Sequence, residues 1–286
     1  MVMACGTTTR AAEMLRISQP AVSRLLTDLE RSTKLKLFDR GKGRIKATPE
    51  AHAFYDEVQR SFVGMERLRF AAENIRSFAS GTLRVGSLPV LGNALLPRAV
   101  GCFSRDFPNV SILLHIRSSE AIKELVASGQ LDLGFAADEI DRAGVDCRVI
   151  TAPEAICIVP AGHPLSERTQ VGPEDLAGAR FISLAAEDAA RARIDRVFVA
   201  AGVSRKIAVE TQYSITICNL VRAGAGVALV NPLALEGLDP AGLVTIPFRP
   251  RVKFRTFLIT PPGRDLSRIG LHFINAVEQQ LGIDQS

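Results

Sequence analysis

The chain has 286 residues, 47% hydrophobic and 23% charged, with no Trp and 2 Tyr. That composition builds sizeable cores from Leu, Val, Ile and Ala, and the length favours two or three compact units. Of its 35 Lys and Arg and 30 Asp and Glu, residues 1–80 hold 14 and 9 while residues 81–286 hold 21 and 21, so the whole +5 sits in the first quarter, as in an anion-binding head on a neutral body.

In chain order, residues 9–15 read as a short helix with Ala11, Ala12 and Leu15 inward. The link Arg16-Ile17-Ser18 leads into a second helix, whose Val22, Leu25, Leu26 and Leu29 fall at i, i+3, i+4 and i+7. Ser18 or Gln19 can cap it, and Pro20 sits in the first turn, where a missing N–H loses no intrahelical bond. The opposite face carries Ser23, Arg24, Thr27 and Asp28. Two short helices joined so tightly make a helix-turn-helix. Gln19, Pro20, Ala21, Ser23, Arg24 and Thr27 then lie toward the exposed start of the second helix, the part that reaches base edges in the major groove. Gln can pair with adenine, Arg with guanine, and Ser with either or with phosphate. Residues 35–38 and 44–47 are strand-like around Arg40-Gly41-Lys42-Gly43. The glycines permit a tight turn, and Arg40, Lys42 and Arg44 project from this wing toward phosphates or the minor groove. The expected partner is double-stranded DNA.

A helix-like run follows from about 49 to 79, with Phe54, Val58, Phe62, Met65, Leu68, Ala72, Ile75 and Ala79 at steps of three and four. Such a stripe, near the heptad average, suggests pairing with a second copy. A dimer places two recognition helices on successive turns of DNA, hence on a palindromic operator.

At Ser80-Gly81 the pattern changes. Strands are expected at 82–86, 111–116 and 131–136, with helices around 93–106 and 121–128 between them, an order that implies a parallel sheet covered by helices. A second set comprises strands at 156–159, 180–184, 207–210 and 227–230 and helices in 188–201 and 215–223. One more strand, 253–260, and a closing helix, 266–281, complete two α/β lobes joined by crossing strands, with a crevice between them. Ligands of open α/β sheets bind at the carboxyl ends of strands, against helix N-termini. Ser87, Ser118, Ser119, Ser183, Ser214 and Thr216 cluster at such places, with Pro89 beyond the first strand, and could hold a carboxylate together with exposed N–H groups. Asp138 and Glu139 read as solvated loop charges before partners of a ligand ammonium.

The strings Ala11-Ala12-Glu13-Met14-Leu15, Ser18-Gln19-Pro20-Ala21-Val22-Ser23-Arg24, Leu29-Glu30 and Leu35-x-Leu-Phe-Asp-Arg40 together resemble the LysR-type transcriptional regulators. The resemblance continues over essentially the whole chain in Gly129-Gln-Leu-Asp-Leu133, Pro160-Ala-Gly-His-Pro-Leu165, Asp175-Leu-Ala-Gly178 and Val221-Arg-Ala-Gly-Ala-Gly-Val227. Within the family it resembles LysR itself, the regulator of diaminopimelate decarboxylase, and the regulators of opine breakdown. The stretches Glu57-Val-Gln-Arg-Ser61, Phe181-Ile-Ser-Leu184, Val209-Glu-Thr211 and Val230-Asn-Pro-Leu233 carry that likeness.

The resemblance implies an α+β and α/β architecture: a winged helix-turn-helix at 1–48, a dimerising linker helix at 49–80, and a two-lobed effector domain like the periplasmic binding proteins. Lobe I comprises 81–156 and 257–286, and lobe II 157–256. It also implies a homodimer or homotetramer that answers a small-molecule inducer, an amino-acid-like or opine-like anion, and alters DNA bending and contact with RNA polymerase. A further helix is expected before Gly6, with Val2-Met3-Ala4-Cys5 as its tail, covering Ala11, Leu15, Val22 and Leu26; the native start is therefore expected upstream of Met1.

Two other classes fit less well. A solute-binding protein for import would need a secretion signal and no helix-turn-helix, whereas residues 1–9 lack a basic start and a long apolar run. An enzyme would need a Ser/His/Asp set, a phosphate loop or a metal motif. The four histidines have no HxxxH spacing, His163 before Pro164 reads as structural, and neither a catalytic residue, a metal nor a cofactor is expected. Five cysteines without a CxxC pair fit a reducing cytoplasm, and no window reaches the ~18 apolar residues of a membrane span.

Overall fold

The computed structural model describes residues 1–41, 44–55, 57–58 and 81–283, in two units, a head and a body. Most of the expected linker helix, including Phe62 to Ala79 of its apolar stripe, lies outside the described residues, as does Lys42 of the wing.

The head opens with α1 (Val2–Cys5), α2 (Thr8–Leu15) and α3 (Gln19–Thr33). Thr7 caps α2 by accepting from the Arg10 amide, and Arg16 ends it in the left-handed region at φ 54°. Ser18 caps α3 by accepting from the Ala21 amide, with Pro20 in the first turn, so the orphan donors of that helix start are met as its sequence predicts. Strands β1 (Phe38–Gly41) and β2 (Arg44–Ala47) pair antiparallel, Arg40 opposite Ile45. The first starts three residues later than its pattern suggested. Thr48 then caps α4, helical over 49–55: its hydroxyl accepts from the Ala51 amide and donates to the Lys36 and Leu37 carbonyls.

The head core gathers Ala11, Ala12, Val22, Leu37, Phe38 and Ala51, with Leu26 and Ile45 packed against it. The expected inward set is only partly inside. Leu15 is 45% exposed, Leu25 59% and Leu29 36%. The physical reason is length: α1 has 4 residues and α2 has 8 against the 15 of α3, so among the described residues its far turns meet few neighbours.

The body holds a five-stranded sheet of order β4-β3-β5-β12-β6. Its strands are β3 (Gly81–Ser87), β4 (Val110–Ile116), β5 (Leu133–Ala137), β6 (Asp146–Thr151) and β12 (Thr256–Thr260). The first three are mutually parallel, joined by crossovers through α5 (Pro89–Gly92), α6 (Leu95–Asp106) and α7 (Ser119–Ala127). The sheet is mixed rather than all parallel: β12 enters antiparallel between β5 and β6. A late strand returning from the other lobe has no crossover helix to dictate its direction, so side-chain packing chooses it. One face packs Phe103 and Phe273 edge to face at 5.5 Å under α6 and α10 (Arg268–Gln280); the other receives Ile122 of α7. At Gly134 an added Cβ would stand 2.6 Å from Ile122, so that helix seats only on a glycine.

The second lobe joins an antiparallel set, β10-β7-β11, to a parallel pair, β8-β9. Its strands are β7 (Ile156–Pro160), β8 (Arg180–Leu184), β9 (Lys206–Thr211), β10 (Ala228–Val230) and β11 (Leu243–Pro247). A bridge between Phe181 and Val227 closes the seam. Helices α8 (Ala189–Ala200) and α9 (Ser214–Arg222) pack on this sheet through Phe198, Ile194, Ile217 and Val221. Strands β6 and β11 were not foreseen in the sequence. The chain crosses between lobes near 152–155 and 248–255. These crossings bond to each other, with the Ala155 amide donating to Val252 at 2.7 Å and the Phe254 amide to Pro153 at 2.9 Å.

Candidate nucleic-acid interface and ligand cavity

On the head, Gln19, Pro20, Ser23, Arg24 and Thr27 share one shallow concave face of α3 with Asp28 and Arg31. The Ser18 cap exposes the first turn, and Val22 and Leu26, buried or half-buried on the other side, fix the helix's rotation. Gln19 Nε2 donates to Thr8 Oγ1 at 3.1 Å, which ties the start of α3 to α2. Thr27 Oγ1 donates to the Ser23 carbonyl at 3.0 Å. Arg31 pairs with Asp28 at 3.2 Å, while exposed Arg24 has no ion-pair partner among the described residues. Ala21 lies half-buried on the same helix. The backbones of Arg40 and Arg44 occupy the two wing strands. Glu30 Oε1 accepts from the Leu37 and Phe38 amides at 2.8 and 3.0 Å, tying α3 to the start of the wing.

In the body, a cavity of about 350 Å³ opens between the lobes, ample for a small metabolite. Lobe I contributes Pro89, Ser118, Ser119, Asp138 and Glu139; lobe II contributes Asp188, Arg193, Gln212, Tyr213 and Ser214. Two helices start at its wall. Ser118 caps α7, its hydroxyl accepting from the Ala121 amide, whereas α9 has no side-chain cap. Among the described residues no acceptor meets the Ser214 and Ile215 amides, so this helix start offers bare donors with a partial positive charge.

Of the seven residues expected around a ligand, the structure brings Pro89, Ser118, Ser119 and Ser214 together. It places the others elsewhere. Ser87 is fully buried and its hydroxyl donates to the Leu88 carbonyl. Ser183 is buried and accepts from Arg191 Nη1 at 2.7 Å. Thr216, two residues and about half a turn further along α9, is exposed and not among the residues lining the cavity. Each spends its hydroxyl locally or lies outside the cavity lining, which a rule about strand ends cannot foresee.

The charged residues of the wall are those the sequence made least of. Asp138 is no solvated loop charge: it is 7% exposed and held by both Arg193 Nη atoms at 2.8 and 3.0 Å, with Arg255 at 3.8 Å. Loss of solvent pushes the Glu139 and Asp188 carboxyls above their ordinary values. The Ser119 hydroxyl, bonded to Glu139, and the helix-cap bonds from Ala190 and Arg191 to Asp188 oppose that shift without cancelling it. Asp188, Arg193 and Tyr213 went unremarked in the sequence, since nothing local marks a helix residue as facing another lobe. His163 is structural, its Nδ1 accepting from the Leu165 amide at 3.2 Å. Among the described residues no group of three metal-ligating side chains occurs, and no helix is long and apolar enough to cross a membrane.

Comparison with known proteins agrees with this geometry. Residues 1–52 match the model of the bacterial regulatory helix-turn-helix protein, lysR family, and residues 76–282 match the LysR substrate binding domain. The chain is 35% identical over 268 residues, covering 94% of it and 86% of the relative, to the transcriptional activator protein LysR of Escherichia coli. It is 37% identical over 234 residues, 82% of this chain and 77% of the relative, to OccR, the octopine catabolism/uptake operon regulatory protein of Rhizobium meliloti. Full-length CbnR in complex with its target DNA has the same fold, with a TM-score of 0.74 at 20% identity over 98% of this chain and 96% of that one. A wing behind a recognition helix, on the same chain as a two-lobed ligand cavity, is the build of an inducer-responsive repressor or activator. The chain belongs to the LysR family of DNA-binding transcriptional regulators, not to enzymes or transport proteins.

Proposed function

We propose that Gln19, Pro20, Ala21, Ser23, Arg24 and Thr27 of α3 read a palindromic operator, with Arg40, Lys42 and Arg44 of the wing on its backbone, and that a homodimer or homotetramer is the binding form. The cavity between the lobes takes the inducer, an amino-acid-derived or opine-like molecule anchored by a carboxylate. OccR, whose name ties it to octopine catabolism, is a relative in keeping with that class. The observation that carries the ligand reading is the uncapped start of α9, whose Ser214 and Ile215 amides meet the cavity opposite Ser118 and Ser119. Free amides at a helix start are a ready anion site. A ligand bound between the lobes would bias their closure and so the spacing of two recognition helices; a coupling of about 1–3 kcal/mol suffices for a regulatory response.

Two measurements test this. Footprinting of the full-length protein on DNA upstream of its own and neighbouring genes should protect a palindromic site; no protected site would overturn the DNA reading. Calorimetric titration with amino acids and opines should find a carboxylate ligand that shifts the footprint. Silence across both sets would overturn the ligand reading.

A further inference from the structure

We infer that the ligand of this cavity carries, besides its carboxylate and α-amino group, a cationic side-chain ammonium or guanidinium received by Glu139 of lobe I and Asp188 of lobe II. This rests on the reading of the cavity as a carboxylate site and adds the class of the remaining half of the ligand.

The argument begins with charge. The cavity wall holds five carboxylate side chains and two arginines. Both arginines point their charge at one acid: Arg193 chelates Asp138, and Arg255 stands 3.8 Å from it. Glu139 and Asp188 form no ion pair among the described residues. Glu139 keeps only the Ser119 hydroxyl as a side-chain partner, and Asp188 spends Oδ1 on the Ala190 and Arg191 amides at 2.7 and 3.2 Å. Besides the loss of solvent, the charge of Asp188 acts on Glu139, raising its carboxyl, while Asp188, half-buried, is held down by Arg193 and raised by Asp138; Glu139 keeps an exposed side. Like charges facing one cavity from two lobes oppose its closure until a cation enters between them. A wholly anionic ligand would add to the repulsion, and an amino acid with a neutral side chain, whose α-ammonium stays beside the carboxylate at the helix starts, would leave it standing. A ligand with a terminal cation replaces one repulsion by two attractions, one to each lobe, while its carboxylate meets the helix starts. A cavity of about 350 Å³ has room for a molecule of that kind.

The test is calorimetric titration of the full-length protein with L-arginine, L-lysine and octopine, an opine that retains the guanidinium. L-citrulline and L-norleucine serve as near-isosteres of the two amino acids without the side-chain charge. The charged member of a pair should bind at least about tenfold tighter than its neutral counterpart. E139Q and D188N should each erase most of that ratio, by weakening the charged ligand and, with one of the two like charges gone, by binding the neutral one at least as well as the parent protein does. Both variants keep their local bonds, Gln as acceptor for Ser119 and Asn as helix cap, and melting curves like that of the parent protein would confirm that they fold. Equal binding of charged and neutral partners, or a ratio untouched in E139Q and D188N, overturns this inference and leaves the carboxylate reading in place. No binding by any of the five compounds removes both.

Discussion

Arg193 of α8 and Asp138 at the end of β5 come from different lobes and face each other in a two-pronged ion pair, Nη1 and Nη2 at 2.8 and 3.0 Å from the two carboxylate oxygens. The side chains are 19% and 7% exposed, and Arg193 Nε is buried with no partner of its own. A pair so far from water is costly to break and contributes little net when intact. Asp138→Leu alone, which strands the arginine, should lower the stability of the body by about 3 kcal/mol, whereas the double change Asp138→Leu with Arg193→Leu should cost less. A double-mutant cycle by denaturant unfolding reads the coupling; additive losses would mean that the pair does not join the lobes.

Arg24 stands exposed on the face of α3 with no ion-pair partner among the described residues. Arg24→Ala should weaken operator binding by about 1–3 kcal/mol and relax preference at one base pair, while Lys42→Ala should weaken all sequences alike and reduce the salt slope by about one. Binding of an operator series at several salt concentrations separates the two. Identical behaviour of both variants and the parent would contradict the assigned face.

Glu30 joins the recognition helix to the wing by accepting the Leu37 and Phe38 amides through one oxygen. Glu30→Ala leaves two amides without an acceptor, a loss of about 2 kcal/mol from the head. Operator affinity should fall and the head should melt earlier, with ligand titration of the body unchanged. Glu30→Gln, which keeps a carbonyl acceptor, should recover most of the loss.

Ser214 is the first residue of α9, a position where proline is tolerated because its N–H has no intrahelical acceptor. Tyr213 before it is extended at φ −122° and ψ 121°, as a residue preceding proline must be. Ser214→Pro should therefore keep the fold and remove one cavity amide, lowering affinity for a carboxylate ligand about tenfold. Unchanged affinity would move the carboxylate away from this helix start.

Much of the molecule was legible from local chemistry. Ser18 and Pro20 announce the start of α3, Val22 and Leu26 its inner side, and residues 180–184 their strand, because caps, turns and short apolar runs are decided within a few residues of chain. The interleaving of β12 between β5 and β6 was not: Thr256–Thr260 is an apolar run able to pair in either direction, and only packing of the returning chain selects antiparallel. The same division holds at the cavity. Hydroxyls at strand ends could be named from the sequence, yet Ser119 and Ser214 face the cavity while Ser87 and Ser183 are consumed by Leu88 and Arg191. Of the acidic wall, Asp138 and Glu139 could be named beyond a strand end, with solvated loop charges as the first reading, but Asp188 could not. Glu139 and Asp188 are 49 positions apart in the numbering, and their charges act on one ligand volume only after two lobes, each folded around its own core, are brought face to face.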